Sequence, residues 1–446
     1  MIPLLAPPMA PTLLSAFGRM LLLGWAVFTA MARAEDAPVL PPLTRPEAHA
    51  LALAQHPRLA AAGYQQFAAE QAARAVHAAV LPTVNLALTA AGAASSDTRL
   101  MAGALNNPSV FDRAAEGIIV NQLLTDFGRT GDLTASARLH AEAEERHTAV
   151  ERQQVLLQVD ISFFATLGAQ AVQEVARETL ATRQRLLDQV AALAANQLKS
   201  ELDLSFARVG VSEARLLLER AEADAEAAEA GLASALGFRE FRRYQLVEDP
   251  PAAHAATNDL AGLVRTALAQ RPDLQRLRYE QESAQRFAHA EHGLRHPVVS
   301  AIGTFGNAPV HDDRLPDNYA AAALTVTLPL YTGGLYRARQ EAADDKAAAL
   351  VKQLEAEEAG VIRDVRVAAL ARAHAVQSLQ TAEELSAQAR ESYRLAGARY
   401  QEGLSSIVEL GQAQLSLTAA EFGRARARYE LLVRGALLAY QTGTLE

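Results

Sequence analysis

Three histidines at helical spacing, His289, His292 and His296, are the residues whose type and interval could hold a transition metal. The plainer reading is a helix surface that ends at Pro297, and His292 has an ordinary counterpart in His77 when the sequence is laid upon itself. No metal and no cofactor are assigned. Cysteine is absent, which excludes a disulfide framework, a thiolate metal site, a cysteine nucleophile and a lipid-modified cysteine. No glycine-rich loop is followed by the lysine of a phosphate cradle, and Tyr331-Thr332-Gly333-Gly334 reads as a strand end. The formal net charge of −9 has the wrong sign for a nucleic-acid surface. With no convergent set of acids, bases or nucleophiles, the sequence makes no case for an enzyme. What remains is a matched pair of polar runs. Ser200-Glu201-Leu202-Asp203-Leu204 returns as Ser406-Ile407-Val408-Glu409-Leu410, acid for acid.

The elements that carry those runs follow from composition and repetition. Half of the residues are hydrophobic but only 5% are aromatic. An alanine-rich, charge-laced chain of this kind favours long helices over a compact mixed core. At the start, Arg19, the apolar run from Met20 to Met31 and Ala32-Arg33-Ala34 read as a secretory signal over 1–34. A membrane anchor competes with that reading, although the run is short for a span of about 20 residues. No later stretch of about 18 uncharged apolar residues marks a membrane helix.

The rest of the chain is written twice. Leu53-Ala54-Gln55-His56-Pro57-Arg58-Leu59 returns 215 residues later as Leu268-Ala269-Gln270-Arg271-Pro272-Asp273-Leu274, and Pro82 returns as Pro297. Further along the offset is 206, matching Ala207, Ala214 and Gly237 to Ala413, Ala420 and Gly443. A shorter loop between Pro297 and Gly334 accounts for the change. The predicted organisation is a first repeat over 35–242, a connecting segment over 243–258 and a second repeat over 259–446.

Each repeat is predicted to open with one helix, about 45–80 and 260–295, stopped by proline. Two strands follow, near 84–95 and 116–124 in the first copy and near 298–306 and 320–331 in the second. Leu324-Thr325-Val326-Thr327-Leu328 and Val84-Asn85-Leu86-Ala87-Leu88-Thr89 alternate between apolar and polar, giving each strand one greasy and one wet face. Ser95–Phe111 and Asn307–Asn318 read as hairpin loops. Four such strands cannot close a barrel, since small barrels need about eight. They contribute to a shared barrel or form a soluble sheet. Long helices complete each copy, over 130–237 and 335–440. From Thr130 to Asn196 there is no proline, enough for a helix on the order of 100 Å. Leu410, Ala413, Leu417 and Ala420 keep a seven-residue rhythm, as coiled-coil packing requires.

This arrangement resembles the TolC-type outer-membrane efflux family over about 43–442. Leu43-Thr44 with Glu47, Ala48 and Pro57 is similar to the family's opening helix, and Leu81-Pro82 to its approach to the first strand. Gln122-Leu123-Leu124-Thr125-Asp126-Phe127-Gly128-Arg129 and Leu328-Pro329-Leu330-Tyr331-Thr332-Gly333-Gly334 resemble its two strand-to-helix transitions.

The resemblance implies a mainly α fold with a small β part. Two repeats of coiled helical hairpins would carry four strands, which three copies join into a twelve-stranded barrel. It implies the outer membrane, with the helical tunnel in the periplasm and the segment from Phe238 to Asn258 forming a belt. The homotrimer would meet outer-membrane lipid, a periplasmic adaptor (membrane fusion) protein and an inner-membrane pump of the RND, ABC or MFS type, with no nucleic acid. It would be the exit duct of efflux or type I secretion. By motif position Tyr400 matches the family's gate tyrosine, Glu409 its first acidic ring position and Asp203 the acid of the first hairpin. Ser405 stands where a form of the gate has arginine, and Gln412 where it has a second acid. Gly403 and Leu404 match the adaptor-docking turn, and Gln197-Leu198 is its altered counterpart. A solvated helix carboxylate is the competing reading of Glu409, and a periplasmic coiled-coil scaffold without a pore is the competing reading of the whole chain.

Overall fold

The computed structural model describes residues 41–92, 113–248, 259–310 and 316–445. The expected signal segment, the loop Ser95–Phe111 and residues 249–258 of the expected connecting segment lie outside them.

The first repeat begins with β1 (Pro42–Leu43), α1 (Arg45–Gln55) and α2 (Pro57–His77). Thr44 and Glu47 start α1 with a reciprocal capping box, each side chain bonding the other's backbone N–H. The single helix predicted over 45–80 is in fact broken at His56, whose backbone is extended with ψ 123°. The counterpart predicted over 260–295 is broken at Arg271, with ψ 124°. The cause is the proline that follows each. It clashes with a helical predecessor yet is well suited to start the next helix. The backbone continues through β2 (Thr83–Ala91), β3 (Arg113–Thr125), α3 (Arg129–Ala195), α4 (Glu201–Ala235) and β4 (Gln245–Leu246). The second repeat is α5 (Leu260–Gln270), α6 (Pro272–His292), β5 (Val298–Val310), β6 (Asn318–Thr327), α7 (Leu335–Gln401) and α8 (Ile407–Thr442). α3 and α7 are each 67 residues long, about 100 Å at 1.5 Å per residue.

Several strand ends differ from expectation: β2 stops at Ala91 rather than 95, and β3 starts at Arg113 rather than 116. β6 stops at Thr327 rather than 331, because Pro329 has no N–H to give a ladder. β5 runs on to Val310, and Asn307 pairs with Asn318, so residues expected in a loop extend the hairpin instead.

The sheet order is β2-β3-β5-β6, antiparallel throughout. Register divides it into two faces. Val84, Leu86 and Leu88 share one with Ile118, Val120, Phe305, Leu324 and Val326. Asn85, Asn121, Ser300, Thr304 and Thr325 lie on the other. The apolar face is bare, with Leu86 70% and Leu324 65% exposed. Tyr319 lies across Gly306 and Gly117 on the polar face, and its hydroxyl donates to the Glu116 carbonyl at 3.3 Å.

The helices form a layer in the same order. Beside the sheet, α2 packs on α3, α3 on α6 and α6 on α7; away from it, α4 packs on α3, α3 on α8 and α8 on α7. The main core lies where α1, α3, α4 and α8 meet. Val155, Val159, Phe163 and Leu167 of α3 pack there against Ala48, Ala52, Leu232 and Leu236. This explains why α3 includes a stretch apolar enough on average to cross a membrane, of which half is buried inside the fold. The glycines that end each repeat close the same joint twice. Gly237 (φ +83°) packs on His56, and Gly443 (φ +73°) on Arg271. A side chain there would strain the backbone and crowd the helix break.

Candidate functional site

The two hairpin tips form one small helical bundle. Leu186 and Val190 of α3, Leu204 and Ala207 of α4, Ala396 and Tyr400 of α7, and Ile407, Leu410 and Ala413 of α8 make its core. Both turns have the same backbone. Gly403 has φ +72°, and the N–H of Leu404 bonds the Arg399 carbonyl at 2.8 Å. In the first turn Gln197 has φ +62°, and the N–H of Leu198 bonds the Leu193 carbonyl at 2.9 Å. Gln197 thus does the work of glycine despite its side chain. Leu198 and Leu404 stand 68% and 70% exposed at matching positions.

Ser200 and Ser406 cap the helices that follow. The Ser200 side chain accepts from the Asp203 N–H, and the Asp203 carboxylate takes bonds from the Ser200 N–H at 3.1 Å and hydroxyl at 2.8 Å. Asp203 is therefore a capping-box residue first. The Glu409 side chain instead faces Arg399 across the second turn, 3.4 Å from its Nε, with both side chains about half exposed. Arg399 also donates to the Leu404 carbonyl at 3.3 Å. Gln412 lies exposed on α8.

Tyr400 is buried, and its hydroxyl has no hydrogen-bond partner. Burial, and after it the Asp203 carboxylate, pushes the phenol above its ordinary value. The Lys199 ammonium lies 4.4 Å from the centre of the Tyr400 ring. Arg183, half-buried on α3, donates to the Gly411 carbonyl and lies against Gly210; burial lowers its pKa. Sequence reasoning brought Tyr400, Asp203 and Glu409 to the same tips but missed Arg399, Lys199 and Arg183. For Lys199 a signal existed, since the 206-residue offset places it opposite Ser405.

The histidines lie elsewhere, at the junction of sheet and helices. His289, His292 and His296 line a cavity of about 380 Å³ with Phe127, Arg129 and Asp132. His292 faces both oxygens of Asp344 at 3.1 Å, and His296 meets Phe127 edge to face. Among the described residues no three His, Asp or Glu side chains converge as a metal site would need. The nearby ion cluster does mechanical work. Glu291 of α6, almost fully buried, holds Arg339 of α7 through two bonds of 2.6 and 2.8 Å and lies 3.7 Å from Arg129 of α3. It ties together the starts of both long helices.

Residues 49–238 and 263–444 match the family model described as outer membrane efflux protein. The chain belongs to the outer membrane efflux protein family. Solved structures agree in fold. A membrane protein from Pseudomonas aeruginosa superposes with a TM-score of 0.78 at 20% identity, over 91% of each chain. The outer membrane protein VceC of Vibrio cholerae gives 0.76 at 18% identity, over 90% of this chain and 96% of its own. The MtrE outer membrane channel of Neisseria gonorrhoeae, solved in its open state, gives 0.73 at 19% identity, over 90% of this chain and 89% of its own. No curated protein sequence matches the chain. Membership makes it an outer-membrane efflux protein, which favours a channel over the pore-less scaffold. The bare apolar face of the sheet is what lipid contact requires.

Proposed function

We propose that three copies of this chain form one passive exit duct, a twelve-stranded barrel continued by a helical tube. The observation that carries this is the matching pair of open edges. The sheet ends at β2 and β6, and the helix layer ends at α2 and α4 on one side and α7 on the other. Unpaired strand edges are not tolerated in lipid, and one chain cannot pair its own. The edge helices are greasy where they lack partners: Tyr64 and Phe67 on α2, Leu202 and Leu216 on α4, Val367 and Leu370 on α7 are all exposed. Joining the α7–β6 edge of one copy to the β2–α2–α4 edge of the next covers both at once. That is a head-to-tail contact, which closes into a ring.

A duct of this kind has no energy source, so it serves a periplasmic adaptor and an inner-membrane pump in efflux or type I secretion. The adaptor docks at Gly403, Leu404 and Leu198, whose two turns share one backbone form. Residues 243–258 join the repeats in sequence, and β4 at their start pairs in parallel with β1. Tyr400, Asp203, Glu409 and Gln412 form the inner gate, at the end of the helices remote from the sheet. Planar-bilayer recording of the detergent-extracted protein tests the duct. Discrete conductance steps are expected, and a protein that inserts without steps would contradict it.

A further inference from the structure

We infer that the gate of this duct is held by a cation–π clasp, in which Lys199 of the first hairpin turn grips the ring of Tyr400 in the second hairpin. The inference rests on the gate reading above and names the contact that keeps it shut.

The geometry carries it in three steps. First, Lys199 and Tyr400 belong to different hairpins. Lys199 sits in the turn between α3 and α4, and Tyr400 is in the last turn of α7. Their contact therefore joins the two hairpins, beside the apolar core that the tips share. Second, the contact uses the ring and leaves the hydroxyl out. The ammonium is 4.4 Å from the ring centre, within the range where the negative π face attracts a cation. The phenol oxygen is buried with no hydrogen-bond partner, and so is the hydroxyl oxygen of nearby Ser405. A hydrogen-bonded tyrosine lock would show that oxygen engaged. Third, Asp203 and the Arg399–Glu409 pair are engaged within their own hairpins. Asp203 closes the cap of α4 on Ser200, and Arg399 faces Glu409 across its own turn. Arg183 also crosses between the hairpins, but to the Gly411 carbonyl of α8, so Lys199 is the cation that crosses to the Tyr400 ring.

The internal repeat explains why the cation is here. Lys199 and Ser405 are equivalent positions, 206 residues apart. The second turn has a short hydroxyl side chain where the first has a long ammonium. The positive charge thus reaches Tyr400 from the opposite hairpin.

The test is single-channel recording of purified protein for Lys199→Met, Lys199→Arg, Tyr400→Leu and Tyr400→Phe, each checked for assembled mass and melting temperature. Met keeps most of the lysine's bulk and removes the charge. Lys199→Met and Tyr400→Leu are expected to raise open probability about five-fold, the shift that one partly shielded cation–π contact carries. The conservative variants Lys199→Arg and Tyr400→Phe are expected to fall well short of that rise. If Tyr400→Phe opens the channel as far as Tyr400→Leu, the hydroxyl is the lock and the clasp is wrong. If Lys199→Met leaves open probability at the wild-type level, the clasp is also wrong while the duct stands. If no variant conducts at all, the duct reading falls and the clasp falls with it.

Discussion

Glu409 sits on α8 with a compensating guanidinium 3.4 Å away. A half-exposed pair of this kind adds at most about 1 kcal/mol to stability, so its importance is where the charge points. In the proposed gate, each copy with Arg399 in place brings a nearly neutral pair to the inner mouth. Arg399→Ala leaves Glu409 bare, and three bare carboxylates round a narrow pore attract cations. Reversal potentials across a KCl gradient should therefore show higher cation selectivity for Arg399→Ala and lower selectivity for Glu409→Gln. Selectivity that follows neither change would put these residues off the conduction path. The first turn offers a second prediction. Gln197 holds a left-handed backbone that suits glycine. Gln197→Gly should raise the unfolding midpoint, by about 0.5–1 kcal/mol of relieved strain net of glycine's extra freedom. The two acids of the tips were legible in the sequence because the repeat aligned them, and Tyr400 because its motif resembles the family's. Arg399 was not, because its role depends on a turn folding it back towards a residue ten positions away.

At the scale of the elements, the sheet depends on a row with no room in it. Gly117, Gly306 and Tyr319 lie side by side across three strands. A methyl group on Gly306 would stand 2.1 Å from the Glu116 carbonyl oxygen, which belongs to the backbone and cannot swing away. Gly306→Ala should therefore break the β3–β5 register beside the bulge at Ala114 and Glu116, and reduce the amount of protein recovered assembled in outer membranes. Normal recovery would mean that the row tolerates a methyl. Alternation made β2 and β6 visible in the sequence, since one face is greasy and the other wet, whereas the runs of β3 and β5 are less regular. Their ends were less visible. Asn307 reads as a turn residue but pairs with Asn318, because a long hairpin can take polar residues at its outer end. The breaks at His56 and Arg271 were missed although Pro57 and Pro272 are plain in the sequence. Proline was read as a stop only where the helical pattern also ended, and here the pattern resumes at once.

For the whole molecule, the duplication has one consequence that neither repeat has alone. Two equivalent halves lie side by side, their strands in one sheet and their helices in one layer, and the sheet ends in the open edges of β2 and β6, which run in opposite directions. The fold class was legible because long proline-free helices and short alternating strands have different periods. Closure was not, because a single sequence does not state how many copies share an edge. Strand number excludes a barrel from one chain, since four strands are too few; the proposed count of three, giving twelve, comes from the family resemblance. The most direct test is the mass of the complex extracted from outer membranes in mild detergent, measured by native mass spectrometry with the detergent stripped. A protein mass of three mature chains is the expected result. A single chain would leave the β2 and β6 edges open in lipid, and a pair would make an eight-stranded barrel; either mass would contradict the account.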